Sequence, residues 1–173
     1  MLAERTRDWI YLAFLAIHIP ATLLVDSQAL FFAESLSPAS LRAPFVFAAK
    51  DDPLLQHATD PSFVWFQAFI ILEVVFQLPT FFLGVRGLYR RTRTVYPLLA
   101  LYGASSATTT YACLATVVFS TSIAPRSPRV LAQLLASYTP FLVVPLAMAL
   151  DFATRLTRMA RRVEDQDRTA KRQ

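Results

Sequence analysis

The sequence predicts an all-α integral membrane protein, a four-helix bundle with both termini in the cytosol. Of its 173 residues, 55% are hydrophobic and only 17% are charged, whereas soluble domains carry about 25% charged residues. The charges are absent from four long stretches and crowded between them. Lys and Arg are also divided unevenly between the two sides of such a bundle, and this asymmetry sets its orientation.

Four stretches are long enough to cross a bilayer, whose hydrocarbon core of about 30 Å needs about 20 apolar residues. Residues 9–25, 94–125 and 130–150 contain no Asp, Glu, Lys or Arg, and residues 61–85 contain only Glu73. We expect a membrane domain at 1–154, followed by a basic cytosolic tail at 155–173 with a disordered end. The expected spans are approximately 9–31, 62–85, 95–119 and 130–151.

The basic residues orient these spans. The N-terminal segment, the loop between the second and third spans and the tail hold 13 of the 17 Lys and Arg residues. The positive-inside rule therefore puts both termini in the cytosol. The start of the chain also resembles a cleavable signal peptide, because Arg5 and Arg7 precede the apolar run. That run is longer than most signal cores and contains His18 and Pro20, which favours a retained first helix.

Two further segments have more than one interpretation. Residues 41–49 in the first loop are apolar with one Arg, and they either lie on the luminal membrane surface or cap the bundle. Residues 103–110, which read GASSATTT, place Gly103 and Ala107 on one face of the third span. Small residues let helices approach closely in lipid, so this face serves internal packing or a homodimer seam.

Polar residues inside the spans are the candidate functional groups, because an ionised carboxylate in a membrane costs several kcal/mol. Glu73 falls near the middle of the second span, with Gln77 one turn further on. In the first span His18, Thr22 and Asp26 form a stripe at four-residue spacing. Three of these residues also have a purely structural interpretation. Asp26 would be a helix-end residue facing the lumen, Glu73 a neutral hydrogen-bonded acid, and His18 a helix-bonded imidazole.

The depths of the two acids predict that they meet. Counting 1.5 Å per residue from opposite membrane faces puts Asp26 and Glu73 within roughly 10 Å along the membrane normal. Two carboxyl groups meeting in apolar surroundings would share a proton. This pair is the core of the predicted site.

Other function classes are disfavoured. Cys113 is the sole cysteine, so the chain forms neither an internal disulfide nor a thiolate metal cluster. The pI near 9.8 would suit nucleic-acid binding, but the basic residues flank the apolar runs as a topology signal does. The sequence lacks a nucleophile elbow, a zinc motif and a phosphate-binding loop. We therefore expect no cofactor, no metal and no nucleic-acid partner.

Four segments carry a family resemblance: HIPATLLVDSQAL at 18–30, KDDPLLQ at 50–56, LEVVFQLPTFF at 72–82 and SYTPFLVVP at 137–145. They resemble the sigma-2 receptor family, also called transmembrane protein 97, in the EXPERA-domain superfamily. That superfamily includes the sterol isomerase emopamil-binding protein. The spacing of an Asp in the first helix, DPLLQ in the loop and E-x-x-x-Q-x-P in the second helix is the specific part of the match.

The resemblance implies a site residue by residue. Asp26 and Glu73 correspond to the family's acidic pair, with Glu73 protonated and Asp26 facing the ligand cation. Asp52, from the DPLLQ motif, corresponds to a support of the site. Phe141 stands where the family has a tyrosine, which puts a hydroxyl contact there in doubt. The ligand-binding residues so implied are His18, Asp26, Glu73, Gln77, Thr110, Tyr138 and Phe141.

The resemblance also implies a function. A multi-pass protein of the endoplasmic-reticulum membrane is expected, often a homodimer, that binds sterols and lipophilic amines in an intramembrane cavity and serves sterol homeostasis. Fungal relatives suggest an alternative, a targeting factor that passes mitochondrial precursor proteins from the endoplasmic reticulum to mitochondria. Sterol-transport or mitochondrial-import proteins would then be partners. A sterol isomerase is a further alternative, but the isomerase's fifth helix is missing, so we expect no enzyme.

Overall fold

The protein is helical throughout the part of the chain that the structure describes. The computed structural model describes residues 3–31, 38–125 and 127–171, and these contain no strand, which confirms the predicted all-α class. Their α-helices are α1 (Glu4–Ala21), α2 (Ala39–Ala49), α3 (Pro53–Gln56), α4 (Val64–Leu72), α5 (Leu78–Tyr89), α6 (Tyr96–Phe119) and α7 (Pro128–Ala170). A first π-turn (Thr22–Asp26) extends α1, and a second π-turn (Glu73–Gln77) joins α4 to α5.

Three of the helical stretches within the described residues are long and apolar enough to cross a membrane. They are Glu4–Ala29, Pro61–Tyr89 and Pro128–Ala170. They contain the second and fourth expected spans and all but the last two residues of the first. Helix α6 matches the third expected span in length, with 24 residues. It is not in this apolar group, because small and hydroxyl residues fill its centre.

The long helices pack in antiparallel order. Helix α1 packs against α5, and α6 packs along α7. We call the end of the bundle that holds the start of α1 and the end of α5 the terminal end, and the end beside α2 and α3 the loop end. One apolar core, around Leu15, Phe81 and Tyr102, fills the terminal half. A second core, around Leu54 and Val117, fills the loop half.

Ion pairs join α1 to α7 at the terminal end. Arg155 donates from its two terminal nitrogens to Asp8 and Asp151, both at 2.7 Å, and Arg7 lies 2.8 Å from the other oxygen of Asp151. The Arg155 side chain is only 5% exposed. The sequence pattern indicated these residues only as a topology signal and did not reveal the network.

Helix α7 is longer than the sequence predicted. It continues unbroken to Ala170 and has 43 residues, about 65 Å at 1.5 Å per residue, so the tail, whose end was expected to be disordered, is helical as far as Ala170. The tail alternates Arg with Glu and Asp at spacings of three and four residues. Such pairs stabilise an exposed helix, and arginine, glutamate and alanine are good helix formers.

Gly103 lies in the contact between α6 and α7. A β-carbon at this position would overlap the carbonyl oxygen of Pro145 and would lie 2.7 Å from the backbone nitrogen of Ala149. Ala107, on the same face, is buried. The small-residue face of α6 therefore packs internally against α7. A homodimer stays a prediction, and its seam is not this face.

Replacing Gly103 is expected to separate α6 from α7. In Gly103→Ala the new methyl group would overlap backbone atoms of α7, which cannot rotate away. Overpacking of this kind costs about 1–3 kcal/mol, and we expect a clear fall in the thermal unfolding temperature of the detergent-solubilised protein. Gly84→Ala is the matched control, because its methyl group would meet only the tips of the Leu15 and Leu99 side chains. An equal effect of both changes would contradict this packing argument.

Candidate functional site

The two acids of the predicted site lie in the two π-turns. The Ser27 amide donates to the Thr22 carbonyl, and the Leu78 amide donates to the Glu73 carbonyl, each five residues earlier. Pro79 lacks an N–H group and leaves the Val75 carbonyl without its α-helical donor, which favours the wider turn. Such π-turns are rare in proteins, and those that do occur often lie at functional sites.

The carboxyl groups of Asp26 and Glu73 lie close enough to each other to form a hydrogen bond. A hydrogen bond between two carboxyl groups requires a proton on one of them, so a bond between these two would hold one proton and one negative charge. The Thr22 hydroxyl also donates to Oε1 of Glu73. The predicted meeting of the two acids is therefore present in the structure.

His18 lies beside Glu73 and is buried. Its Nε2 is 3.7 Å from Oε1 of Glu73, and its Nδ1 is 3.3 Å from the Tyr102 hydroxyl. The imidazole ring stacks on Phe81 at 4.6 Å and meets Phe141 edge-on at 4.7 Å, measured between ring centroids. These contacts fix the ring with one nitrogen toward the acidic pair.

Asp52 is held by three hydrogen bonds. It caps the N-terminus of α3 by accepting from the backbone amides of Leu54 and Leu55 at 2.9 Å and 3.4 Å. Its second oxygen accepts from the Tyr138 hydroxyl of α7 at 2.7 Å. The carboxylate therefore ties the first loop to the fourth long helix beside the site.

A cavity of about 290 Å³ adjoins the acidic pair. This is close to the lower limit of about 300 Å³ for small-molecule sites. Polar groups from α1, the two π-turns, α6 and α7 converge on a wall that is otherwise mostly apolar and aromatic. Its lining residues are His18, Ala21, Val25, Asp26, Ala48, Asp52, Leu55, Phe66, Phe69, Ile70, Glu73, Thr109, Thr110, Cys113, Ser137, Tyr138 and Phe141.

The structure brings most of the predicted site residues to this cavity. Gln77 is the exception, since it is 3% exposed and lies away from the lining. A π-turn closes on hydrogen bonds five residues apart, so the four-residue step from Glu73 to Gln77 is less than one turn. Sequence reasoning missed Phe66, Ile70 and Cys113. Cys113 follows Thr109 and Thr110 at helical spacing, which is the signal that was present in the sequence.

The described residues contain no group of three or more His, Cys, Asp or Glu side chains that could hold a metal ion. The acidic pair is instead placed to meet an organic cation or a hydrogen-bond donor. A fixed negative charge inside an apolar wall is the arrangement that a desolvated cation requires.

The chain matches the model of a known protein family. A family model described as EXPERA (EXPanded EBP superfamily) matches residues 39–152, more than half of the chain. The chain belongs to the EXPERA family. The match includes Glu73, Asp52 and the part of α7 that supplies Tyr138.

Curated relatives match a larger share of the chain than the EXPERA model does. "Sigma intracellular receptor 2" of Xenopus tropicalis is 32% identical over 158 residues, which cover 86% of this chain and 89% of the relative. The human protein of the same name is 31% identical over 156 residues, covering 82% and 84%. The resemblance to the sigma-2 receptor family is therefore confirmed. These EXPERA relatives are named as receptors, and the family places this chain among membrane proteins.

Proposed function

We propose that this EXPERA protein is an intramembrane receptor that binds lipophilic amines and sterols, in the endoplasmic-reticulum membrane, with a role in sterol homeostasis. The observation that carries the proposal is the pair of neighbouring carboxyl groups, Asp26 and Glu73, on the wall of a mostly apolar cavity. The relatives named as sigma intracellular receptors support a receptor rather than an enzyme.

An amine would bind by ion pairing with the single charge of the acidic pair. A cation that enters a dry cavity loses its hydration and needs a fixed anion nearby. The second carboxyl group, which carries the proton, hydrogen-bonds to that anion and holds it in place. The phenyl rings of Phe66, Phe69 and Phe141 face the cavity and supply apolar contact for the rest of the ligand.

A sterol would use the same wall differently. Its hydroxyl group can donate to a carboxylate oxygen, while its ring system replaces water against apolar side chains at about 25 cal/mol per Å². The amine depends on charge and the sterol on apolar area, so one cavity can accept both with different sensitivity to the acidic pair.

Two measurements on purified protein test the proposal. Saturable binding of a radiolabelled lipophilic amine is expected, and solvent extraction followed by mass spectrometry is expected to recover a co-purifying sterol. Both must be displaced by an excess of unlabelled amine if they share the cavity. A folded protein that binds neither would contradict the proposal, and precursor-import defects on deletion would then favour the targeting alternative.

Both termini are proposed to face the cytosol, because most Lys and Arg residues lie at the terminal end. Single cysteines replacing Arg90 and Ser127, both exposed, are expected to react with a membrane-impermeant maleimide from opposite sides of intact microsomes. Cys113 is buried and serves as the unlabelled background. Labelling of both positions from one side would contradict the proposed topology.

Asp52 is expected to support the site through geometry rather than charge. Asp52→Ala removes the α3 cap and the Tyr138 contact, and the cap alone is worth about 0.5–2 kcal/mol. We expect a lower unfolding temperature and weaker amine binding. Asp52→Asn is the matched control, since an amide oxygen caps a helix about as well and its NH₂ group can donate to the Tyr138 hydroxyl. A loss of binding in Asp52→Asn equal to that in Asp52→Ala would mean that the charge itself is required.

A further inference from the structure

Helix α2 is apolar on its outer face as well as on its inner face. At about 100° per residue, Ala39, Ala43, Val46 and Phe47 fall within about 100° of one another, and all four are exposed. Phe47 is 83% exposed and Val46 is 59% exposed. The other side of the helix contributes Ala48 to the wall of the cavity. A helix that is hydrophobic all round is normally buried on every side.

The α3 segment that follows lies inside the bundle rather than above it. Leu54, Leu55 and Ala58 are buried in the same core as Ile70 and Cys113. Ile70 lies nine residues after Pro61, where the second span begins, and Cys113 lies six residues before the end of α6. At 1.5 Å per residue these positions are about 9–14 Å from the loop end of their helices.

Helix α2 lies at a comparable depth beside α1. It packs against the first π-turn and against the 3₁₀ turn Ser27–Ala29, both within the first candidate span. The outer face of α2 therefore continues the lipid-facing surface of the spans, which includes other exposed apolar side chains such as Ile17 and Val75.

The backbone at the end of α2 suits an environment without water. The Gln56 side-chain amide donates to the carbonyl oxygens of Ala49 and Lys50 at 2.8 Å and 2.9 Å. In the DPLLQ motif, Gln56 thus donates hydrogen bonds to the free carbonyl groups at the end of α2. Asp52 accepts hydrogen bonds from the free amide groups at the start of α3. Backbone groups at membrane depth require such internal partners. The exposed Lys50 has a long side chain that can extend its ammonium group to the headgroups.

We infer that residues 39–58 form a membrane-inserted element, with the outer face of α2 covered by lipid acyl chains of the leaflet at the loop end. The proposed partner is the bilayer itself, at the boundary between headgroups and acyl chains, where apolar helix faces of this size are buried about 5–10 Å deep. This inference does not depend on the proposed ligand. In this arrangement α2 alone separates the cavity from the lipid, with Ala48 on the cavity side of the helix and Phe47 on the lipid side.

Spin labelling in phospholipid nanodiscs tests the inference. Phe47→Cys in a Cys113→Ala background would carry a nitroxide, whose collisions with oxygen and with a water-soluble nickel chelate would be measured. We expect a ratio of oxygen to nickel collisions at position 47 that is severalfold higher than at Thr59→Cys, an exposed position between α3 and the second span. The ratio should lie below that at Val75→Cys, an exposed position at the middle of the second span, because oxygen access rises and nickel access falls with depth in the bilayer.

Two outcomes would overturn the inference. Strong nickel access at position 47 would place the face of α2 in water. Low collision rates with both reagents, together with dipolar broadening between labels, would mean that a second copy of the chain covers the face. Val46→Cys provides an independent label on the same face and is expected to give the same result, so failure of one variant to fold still leaves a test.

Discussion

Asp26→Asn is expected to lose most of its affinity for a lipophilic amine while its unfolding temperature changes little. The asparagine side chain keeps the shape of the aspartate and can still hydrogen-bond to Glu73, but the charge of the pair can be lost with it. Breaking a buried charge pair costs about 2–5 kcal/mol, which is about 30- to 3,000-fold in affinity. Radioligand saturation binding measures the loss, with thermal shift as the check on folding.

The comparison with Glu73→Gln decides which acid carries the charge. The family resemblance assigns the proton to Glu73, and glutamine can replace a protonated acid as a donor, so this change is expected to cost less. The hydrogen bond that Thr22 donates to Glu73 would also be compatible with an ionised Glu73. The comparison of the two variants therefore distinguishes between the two assignments of the charge. A more damaging Glu73→Gln would reverse the roles, and near-normal affinity in a folded Asp26→Asn protein would contradict the ion-pair model.

A neutral ligand of the same shape is the second control. Replacing the amine nitrogen of the ligand by carbon removes its charge and leaves its apolar contacts. The unmodified protein and Asp26→Asn should bind this neutral ligand with similar affinity, because the substitution changes the charge of the cavity wall and little else. A parallel loss for charged and neutral ligands would indicate a distorted cavity instead.

The positions of the long helices could be predicted because their signal is local. The expected second span, 62–85, lies within the helical stretch Pro61–Tyr89, and the expected third span, 95–119, coincides with α6 to within one residue. The length of a hydrophobic run depends only on the residues within it. The same holds for the depth of a residue in its span, which is why residue counting alone could pair Asp26 with Glu73.

The details that give the site its shape depend on contacts between distant residues and could not be predicted this way. Pro79 indicates a disturbed helix, but the choice of a π-turn over a kink depends on packing around Glu73. The bond from Tyr138 to Asp52 joins residues 86 positions apart, and no pattern within either segment specifies it. The position of Gln77 outside the cavity lining was unpredictable for the same reason, since α-helical spacing would place it on the face of Glu73, and its role in ligand binding stays a prediction.

The charges at the terminal end show a second limit of sequence patterns. Counting Lys and Arg predicts which side of the membrane they occupy, but it does not distinguish Arg155, which is 5% exposed, from Arg158, which is 67% exposed. The difference arises because Arg155 points toward α1, where Asp8 accepts from it, while Asp151 of α7 accepts from its other terminal nitrogen. Only the packing of α1 against α7 makes one arginine structural and leaves the other in solvent.

Arg155→Met is therefore expected to be among the most destabilising single changes in the bundle. Methionine keeps much of the volume of the arginine stem, but it leaves Asp8 and Asp151 with fewer cationic partners in a buried setting. Removing one member of a buried ion pair costs about 3–5 kcal/mol, whereas an exposed pair is worth about 0–1 kcal/mol. Arg158→Met is the matched control, because Arg158 lies 3.9 Å from Glu4 at an exposed position of the same two helices.

Unfolding of both variants would be followed by thermal denaturation in detergent, at low and high salt. We expect a large loss in Arg155→Met that salt changes little, and a small loss in Arg158→Met that salt abolishes. Adding Asp8→Asn to Arg155→Met should recover part of the stability, because it removes a buried carboxylate that has lost its guanidinium. Equal effects of the two arginine changes, or no recovery in the double variant, would mean that the network does not hold α1 to α7.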